Sequence, residues 1–286
     1  MSAFLIRRVF HSLIVLFVMS VIIYGLIGLM PGDPIDLMIS ADPHITSEDA
    51  ARLRLIYGLD QPLWSRYLHW LGSALTGDFG YSRLYAQPVW TAILPALSNT
   101  LVLLLSSLTL ALLIALPAGI FAATRPYSLS DYGINLAAFA GISIPPFWLG
   151  ILLILIFAVS LGWLPAGGTA EAAGAGTLWE RAQYLILPIV SLTIAGVGGH
   201  TRFMRASMIE TLRQDYIRTA RAKGLSESRV VLGHALRNAM IPVVTVIALD
   251  LGVLFSGALI TETVFAYPGM GKLIFDSIMG NDYNLA

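Results

Sequence analysis

The stretch Thr100–Ala123, TLVLLLSSLTLALLIALPAGIFAA, contains no charged residue and decides the fold. About 20 consecutive apolar residues are enough for a helix to cross the hydrocarbon core of a membrane. Similar stretches lie on both sides of it, at Val9–Leu29, Ile134–Leu161, Tyr184–Gly199 and Met240–Ile260. The sequence therefore predicts an all-α integral membrane protein with five visible spans.

The composition of the whole chain agrees with a membrane protein. Of its 286 residues, 57% are hydrophobic and only 12% are charged, whereas a soluble domain is about one quarter charged. The formal net charge of zero gives no support for a general attraction to nucleic acid. Because the chain has no cysteine, disulfides, thiol catalysis and iron–sulfur ligation are all excluded.

The first apolar stretch is predicted to be a retained span. Arg7 and Arg8 precede it, as positive charges precede a signal peptide. The run Val9–Met30 is nevertheless longer than the roughly 7–15 residues of a signal's apolar region. Leu29-Met30-Pro31 is also no small-residue cleavage site, so we expect this helix to remain in the mature protein.

The fourth apolar stretch is interrupted by helix-breaking residues. Pro188 and the run Gly196-Val197-Gly198-Gly199 lie within it. A membrane helix tolerates such residues where a cavity or neighbouring helices cover the freed backbone. The pattern fits a helix that lines a pathway, and it fits equally a helix that packs closely through small residues.

The distribution of basic residues predicts a cytoplasmic N-terminus, because Lys and Arg accumulate in short cytoplasmic loops. The basic residues on that side are Arg7, Arg8, Arg125, Arg202, Arg205, Arg213, Arg218, Arg221, Lys223, Arg229 and Arg237. Five spans then leave the end of this sequence outside, so we expect a sixth span after Ala286. Before that end, the turn at Tyr267, Pro268 and Gly269 and the helix after it are predicted to form a periplasmic gate.

The spans divide the chain into three regions. Residues 1–30 form the first transmembrane helix, and residues 31–98 form a periplasmic loop with two short helices. The first short helix is expected to begin at Ser47 and to end at Gly58. The second carries Trp64, Tyr67 and Trp70 at helical spacing, which suits either a helix at the membrane interface or a packed external helix. Residues 99–286 form the core, including a cytoplasmic segment at 205–238.

Catalytic and metal-binding patterns are missing from the sequence. It contains no G-x-x-x-x-G-K-[ST] phosphate loop, no H-E-x-x-H and no G-x-S-x-G. The five histidines are scattered without ligand spacing, so each is predicted to be structural. We therefore predict no catalytic residue, no metal site and no cofactor bound by this chain.

The segment Arg205–Arg237 carries the strongest functional signal. Gly224 is suited to end a helix in the left-handed conformation, and Ser226 is suited to cap the next one. The second helix is expected to turn Val230, Val231, His234 and Leu236 toward the bundle. Two helices that meet at a glycine corner present a compact knob to a cytoplasmic partner. The alternative is a basic hairpin that rests on anionic headgroups.

Several short motifs in this chain resemble those of ABC importer permeases. Arg218-Thr219-Ala220-Arg221-Ala222-Lys223-Gly224 is similar to their EAA-x-x-x-G signature, although Arg218 and Thr219 replace its Glu and first Ala. The order of the other motifs resembles the dipeptide/oligopeptide/nickel branch over nearly the whole chain. These motifs are Pro31-Gly32-Asp33-Pro34, Gly58–Leu63, Gly77-Asp78-Phe79-Gly80, Ser143–Trp148, Gly162-Trp163-Leu164-Pro165, His234–Pro242 and Glu262–Gly271.

The resemblance implies a type I importer in the bacterial inner membrane. Its partners would be a second homologous permease, two ABC ATPase subunits that hold ATP and Mg²⁺, and a periplasmic or lipid-anchored solute-binding protein. The knob would be the coupling helix that docks on the ATPase, with contacts from Ala220, Lys223, Gly224, Leu225, Ser226, Glu227 and Arg229. The solute would be a short peptide, with nickel chelate, glutathione or an opine as alternatives.

Asp250 is the one ionisable residue deep within an apolar span. Burying a carboxylate there costs about 2.5 kcal/mol or more, so it is expected to face a cavity or a partner. We predict that Asp250 lines the translocation pathway on one helix face with Leu254 and Gly257. There it would attract a cationic group such as a peptide's ammonium. The alternative is a hydrogen bond between helices or a protonated carboxyl.

Two other classes of membrane protein compete with this interpretation. A stand-alone secondary transporter predicts inverted repeats and more charges at midplane, and a membrane-embedded enzyme needs paired catalytic residues within the bilayer. Asp250 has no evident partner in the sequence, and no repeat is visible. The sequence therefore favours a non-catalytic permease subunit.

Overall fold

The computed structural model describes residues 2–29, 48–49, 52, 55, 60–170, 172, 174, 176–282 and 284–285, with only the backbone for residues 2 and 253–257. The described chain is mostly helical, as the sequence predicts. It divides into two compact units, residues 1–95 with 273–286 and residues 96–272. The structure describes four residues of the predicted external helix between Ser47 and Gly58, at positions 48, 49, 52 and 55, and all four are helical; the rest of that helix lies outside the described residues.

The first unit begins with helix α1, Ser2–Gly28. Nearly all of its large apolar side chains are exposed, which is the state expected of a helix surrounded by lipid. Helix α2, Leu63–Leu75, packs on α1, since the hydroxyls of Ser20 and Tyr67 lie 2.9 Å apart. The ring of Tyr67 also lies 5.5 Å from that of Tyr24. The second external helix predicted from the sequence is thus present.

A short hairpin follows α2 in the first unit. Strands β1, Tyr81–Ser82, and β2, Gln87–Pro88, pair antiparallel. The carboxylate of Asp282 is buried against the turn, where it accepts hydrogen bonds from Ser82 Oγ at 2.6 Å and from the Leu84 amide at 3.0 Å. These bonds fix the end of the described chain to a turn 200 residues earlier in sequence.

Two long helices form the frame of the second unit. Helix α3 runs over Val89–Thr124 and helix α6 over Leu178–Leu212. Helix α6 begins with a reciprocal capping box, in which the Thr177 side chain accepts from the Glu180 amide and the Glu180 side chain accepts from the Thr177 amide. Pro188 does not interrupt this helix, because a proline costs one intrahelical hydrogen bond and the remaining turns still pack on their neighbours.

The glycine run of α6 permits close helix packing. A Cβ added at Gly198 would lie 2.3 Å from the carbonyl oxygen of Ala138. No side chain larger than hydrogen fits at that distance, so α6 and α4 (Leu129–Ser143) approach each other at the glycine. By contrast, an added Cβ at Gly199 meets nothing within 4 Å. At Gly198, therefore, the structure favours the close-packing alternative.

The third predicted span is not one straight helix. The structure divides Ile134–Leu161 into α4 and α5, Pro146–Leu153, which continues as a π-helical segment over Ile154–Ser160. The two parts bend by 95°. The cause is Pro145-Pro146, because a proline disfavours helical backbone at the residue before it and has no N–H to donate.

Helix α6 leads through two short helices into the last long one. These are α7, Asp215–Ala222, and α8, Glu227–Arg229, which continues as a π-helical segment over Val230–Ala235. Helix α9 follows over Leu236–Val264 and helix α10 over Met270–Met279. Val230, Val231 and Ala235 are buried, but His234 is exposed, so its predicted inward orientation is wrong. The π-helical winding shifts the buried positions away from the α-helical spacing.

Four helices of the described chain are long and apolar enough to cross a membrane, and the bent α4–α5 pair makes a fifth candidate. The predicted five apolar stretches therefore each correspond to a helix or a bent pair. Two clusters of apolar side chains hold the second unit together. One surrounds Met204 and Met208, and the other surrounds Leu103, Leu187 and Phe265.

Candidate coupling and solute-pathway sites

The corner between α7 and α8 has the backbone that the sequence predicts. Gly224 has a φ of +77°, in the left-handed region that favours glycine. Ser226 stands at the first position before α8, as predicted, but its side chain makes no capping hydrogen bond. The corner is therefore set by the glycine and by the contacts on either side of it.

The inner side of the corner is anchored in the apolar cluster around Met204 and Met208. Ile217 and Val230 are fully buried there, and Ala220 is 6% exposed. Leu225 is partly buried and packs on the same cluster. Of the predicted coupling residues, Ala220 and Leu225 therefore hold the corner on the helix bundle.

The outer side of the corner is polar and exposed. Lys223, Ser226, Glu227 and Arg229 all lie on it. Arg221 donates two hydrogen bonds to the Glu227 carboxylate, at 2.5 and 3.1 Å, and thereby links α7 to α8 across the glycine. The same bonds raise the pKa of the Arg221 guanidinium and lower the pKa of the Glu227 carboxyl, so both groups are charged in the link. Lys223 and Arg229 remain the basic side chains that a partner could contact.

Asp250 in α9 lies opposite His200 in α6. The imidazole Nε2 and the carboxylate Oδ2 are 3.6 Å apart, with the side chain of His200 5% exposed and that of Asp250 43% exposed. His200 is thus a polar neighbour of Asp250 that was not evident in the sequence. The two residues are 50 positions apart, and only the packing of α6 on α9 brings them together. Leu254 and Gly257, predicted to share this face, are described by their backbone only.

The predicted periplasmic gate follows α9 as a tight turn. Tyr267 is buried, Pro268 is exposed, and the Pro268 carbonyl accepts a hydrogen bond from Asn99 Nδ2 at 2.9 Å. Gly269 is buried directly against the carboxylate of Glu262, where an added Cβ would lie 2.1 Å from Oε1. The gate residues are thus fixed between α3 and the end of α9.

The buried carboxylate of Glu262 organises this turn, a role that no local pattern in the sequence indicates. It accepts hydrogen bonds from Thr100 Oγ1 at 2.5 Å and from the Lys272 amide at 3.0 Å. The Thr100 hydroxyl in turn accepts from the Met270 amide at 2.7 Å. Burial raises the pKa of Glu262, while these donors oppose that shift. The carboxylate therefore holds the first turn of α10, where helix amides lack intrahelical partners.

An ion pair joins the first turn of α4 to α6. Arg205 donates from Nε and from a terminal nitrogen to the two oxygens of Asp131, each at 2.6 Å. Asp131 is 1% exposed and also accepts from Asn135 Nδ2 at 2.7 Å. Bidentate geometry with a further hydrogen bond is the arrangement that a buried carboxylate requires. The pair fixes α4 to α6.

Among the described residues, no group of three or more His, Cys, Asp or Glu side chains is arranged to bind a metal ion. The corner offers a surface for a partner, and the Asp250 site offers a charge within a membrane helix.

The chain is similar to transport proteins over its whole length. Residues 115–286 match the family described as "Binding-protein-dependent transport system inner membrane component". Residues 1–104 match the corresponding N-terminal family, "Binding-prot-dependent transport system membrane comp, N-term". The two matches together include the coupling corner, Asp250 and the gate.

Individual relatives cover 99% of this chain and are themselves covered to 89%. The oligopeptide transport system permease protein AppB of Bacillus subtilis is 42% identical over 284 residues. The di/tripeptide transport system permease protein DppB of Pseudomonas aeruginosa is 39% identical over 304 residues. The glutathione transport system permease protein GsiC of Escherichia coli is 40% identical over 283 residues.

Proposed function

The chain belongs to the binding-protein-dependent inner membrane components, the non-catalytic permease subunits of ABC importers, and we propose that it moves short peptides across the bacterial inner membrane. The observation that carries the peptide assignment is the full-length similarity to the oligopeptide and di/tripeptide permeases at 42% and 39% identity. The glutathione permease, at 40% identity, makes glutathione the second candidate. Glutathione is itself a small peptide, so both candidates carry an ammonium group and carboxylates.

The transporter assembles, in this proposal, from several subunits. Dependence on a binding protein is part of the family description. We assign to the complete assembly a second homologous permease, two ABC ATPase subunits that hold ATP and Mg²⁺, and a periplasmic or lipid-anchored solute-binding protein. The arginine-rich segment supports a cytoplasmic position for the corner, because basic residues accumulate on that side of the membrane.

The corner at Gly224 transmits motion from the ATPases to the helices. The buried side chains of Ile217 and Val230 support this role, because they attach the corner to the apolar cluster that also contains Met204 and Met208. A force applied to the exposed Lys223 and Arg229 would therefore reach α6 and α9 together. Packed interiors move as units rather than deforming continuously, so such a contact can rock the helices between two states.

Asp250 faces the solute pathway in this proposal. Its side chain is 43% exposed, and a carboxylate in contact with hydrocarbon would be costly. A water-filled pathway removes that cost and gives the carboxylate access to the ammonium group of a peptide. We place Leu254 and Gly257 on the same face of α9 from their spacing in the sequence. Tyr267, Pro268 and Gly269 would close this pathway on the periplasmic side.

Competitive uptake distinguishes the two candidate solutes. Cells that contain the complete transporter are compared with cells that lack this chain, using labelled trialanine as the probe. We expect uptake to require the chain and ATP, and unlabelled trialanine to compete far better than unlabelled glutathione. If glutathione competes more strongly than trialanine, the transporter belongs with the glutathione importers. If labelled trialanine enters equally without the chain, the proposed peptide function is wrong.

A further inference from the structure

A buried histidine stands beside the carboxylate assigned to the pathway. The side chain of His200 is only 5% exposed, and its Nε2 lies 3.6 Å from Asp250 Oδ2. Its other nitrogen, Nδ1, is buried without a hydrogen-bond partner among the residues that the structure describes. Buried polar nitrogens are normally hydrogen-bonded, and Asp250 is the polar contact that the structure describes for this imidazole.

The two side chains differ sharply in accessibility. Asp250 is 43% exposed, whereas His200 is enclosed. A solute in the pathway can therefore reach the carboxylate but not the imidazole. The separation of 3.6 Å is longer than a direct hydrogen bond, so the contact leaves the acceptor positions of the carboxylate open to a cation.

We propose that His200 positions Asp250, so that the two residues form one cation-recognising site for the ammonium group of the solute. This inference rests on the proposed function, because it concerns the same pathway. His200 holds one oxygen of Asp250 toward α6, and the exposed part of the carboxylate faces the passing solute. His200 is thus a positioning residue, and Asp250 makes the contact with the solute.

The exposure of Asp250 also indicates that contact with a neighbouring helix does not account for the whole carboxylate. A carboxylate held only by an interhelical contact would be covered on its remaining sides, as Asp131 is at 1% exposure. Asp250 keeps nearly half of its surface open despite its neighbour. That open surface requires water, a solute or a polar group of another subunit, because hydrocarbon solvates a charge poorly.

The absence of cysteine makes the site accessible to a labelling experiment. Val246 lies one turn before Asp250 on α9 and is partly buried, so Val246→Cys places the only thiol of this chain beside the site. The assembled transporter in proteoliposomes is treated with two water-soluble thiosulfonates, one carrying a trimethylammonium group and one carrying a sulfonate. Leu249→Cys serves as the matched control, since Leu249 is adjacent in sequence but on another face, at 68% exposure.

We expect the cationic reagent to modify Val246→Cys about tenfold faster than the anionic one, because a nearby carboxylate attracts the first and repels the second. Adding Asp250→Asn should abolish that ratio. Adding His200→Ala should reduce it several-fold, and His200→Gln, which keeps a polar donor, should restore most of it. In the variant that combines Asp250→Asn with His200→Ala, the rate ratio should be no lower than in Asp250→Asn alone, because the effects of residues that act together are not additive. Leu249→Cys should show no preference.

Three results would overturn the inference. Val246→Cys that neither aqueous reagent modifies would show that the site does not face water. Modification of the isolated subunit but not of the assembled transporter would place Asp250 against the second permease. The third result is a ratio of modification rates that Asp250→Asn abolishes but that both His200→Ala and His200→Gln leave unchanged. In that case His200 does not position Asp250. Because no solute is used, these results are separate from the trialanine uptake that tests the proposed function.

Discussion

Replacing Gly224 with valine is the most direct perturbation of the coupling corner. Gly224 has a φ of +77°, where a β-branched residue is a genuine outlier. An added Cβ meets no atom within 4 Å, so the cost arises from the backbone conformation alone. Holding an L-residue in that region costs about 1–2 kcal/mol.

This strain is large enough to depopulate the corner without unfolding the subunit. One to two kcal/mol changes an equilibrium by a factor of about 5–30. The fully buried Ile217 and Val230 still attach the flanking segments to the bundle. We therefore expect Gly224→Val to reach the membrane at the normal level and to lose most of the solute-stimulated ATP hydrolysis of the assembled transporter.

The matched control is Gly133→Ala in α4. An added Cβ at Gly133 also meets nothing within 4 Å, but its backbone is helical with no positive φ. Alanine is favoured over glycine in a helix by about 1 kcal/mol, so coupling should be unchanged. The assay is ATP hydrolysis by proteoliposomes with and without solute-loaded binding protein. Normal stimulation in Gly224→Val, at equal amounts of assembled protein, would refute the role of the corner.

The two buried carboxylates of the second unit give the remaining predictions. Asp131→Asn should destabilise the purified subunit by about 3–5 kcal/mol, because Arg205 loses its charged partner. A thermal unfolding midpoint equal to that of the wild type would contradict the importance of this pair. Glu262→Gln should cost about 1–3 kcal/mol, because an amide nitrogen replaces an acceptor that faces backbone and hydroxyl donors. Faster proteolysis near Gly269 is the expected readout, and cleavage at the wild-type rate would argue against this anchor.

The membrane helices were predictable because lipid solvation depends on local composition. A run such as Thr100–Ala123 has to be helical in a bilayer, whatever its neighbours are, since its backbone groups find no other partners there. The bend at Pro145-Pro146 was visible in the sequence as a pair of prolines, yet the apolar run continues across it. Hydropathy alone therefore predicts a single span over α4 and α5. The backbone restriction imposed by proline instead bends the two helices by 95° relative to each other.

The coupling corner was predictable for a different local reason. A glycine after a helical run and a serine before the next run indicate a left-handed stop and a new start. The φ of Gly224 agrees with that pattern. The exposure of His234 did not follow from the same reasoning, because the π-helical winding of Val230–Ala235 departs from the spacing that a helical pattern assumes.

The membrane class, the apolar stretches and the glycine corner can be read from the sequence alone, because each depends on residues that are neighbours in the chain. The partners of the charged side chains follow only from the way the helices pack. Asp131 pairs with Arg205 across 74 positions, Glu262 binds Thr100 across 162, and Asp250 faces His200. These pairs depend on how each helix is rotated about its axis and on close approaches such as that at Gly198. Hydrophobic periodicity leaves those rotations open, since lipid and protein interior are equally apolar.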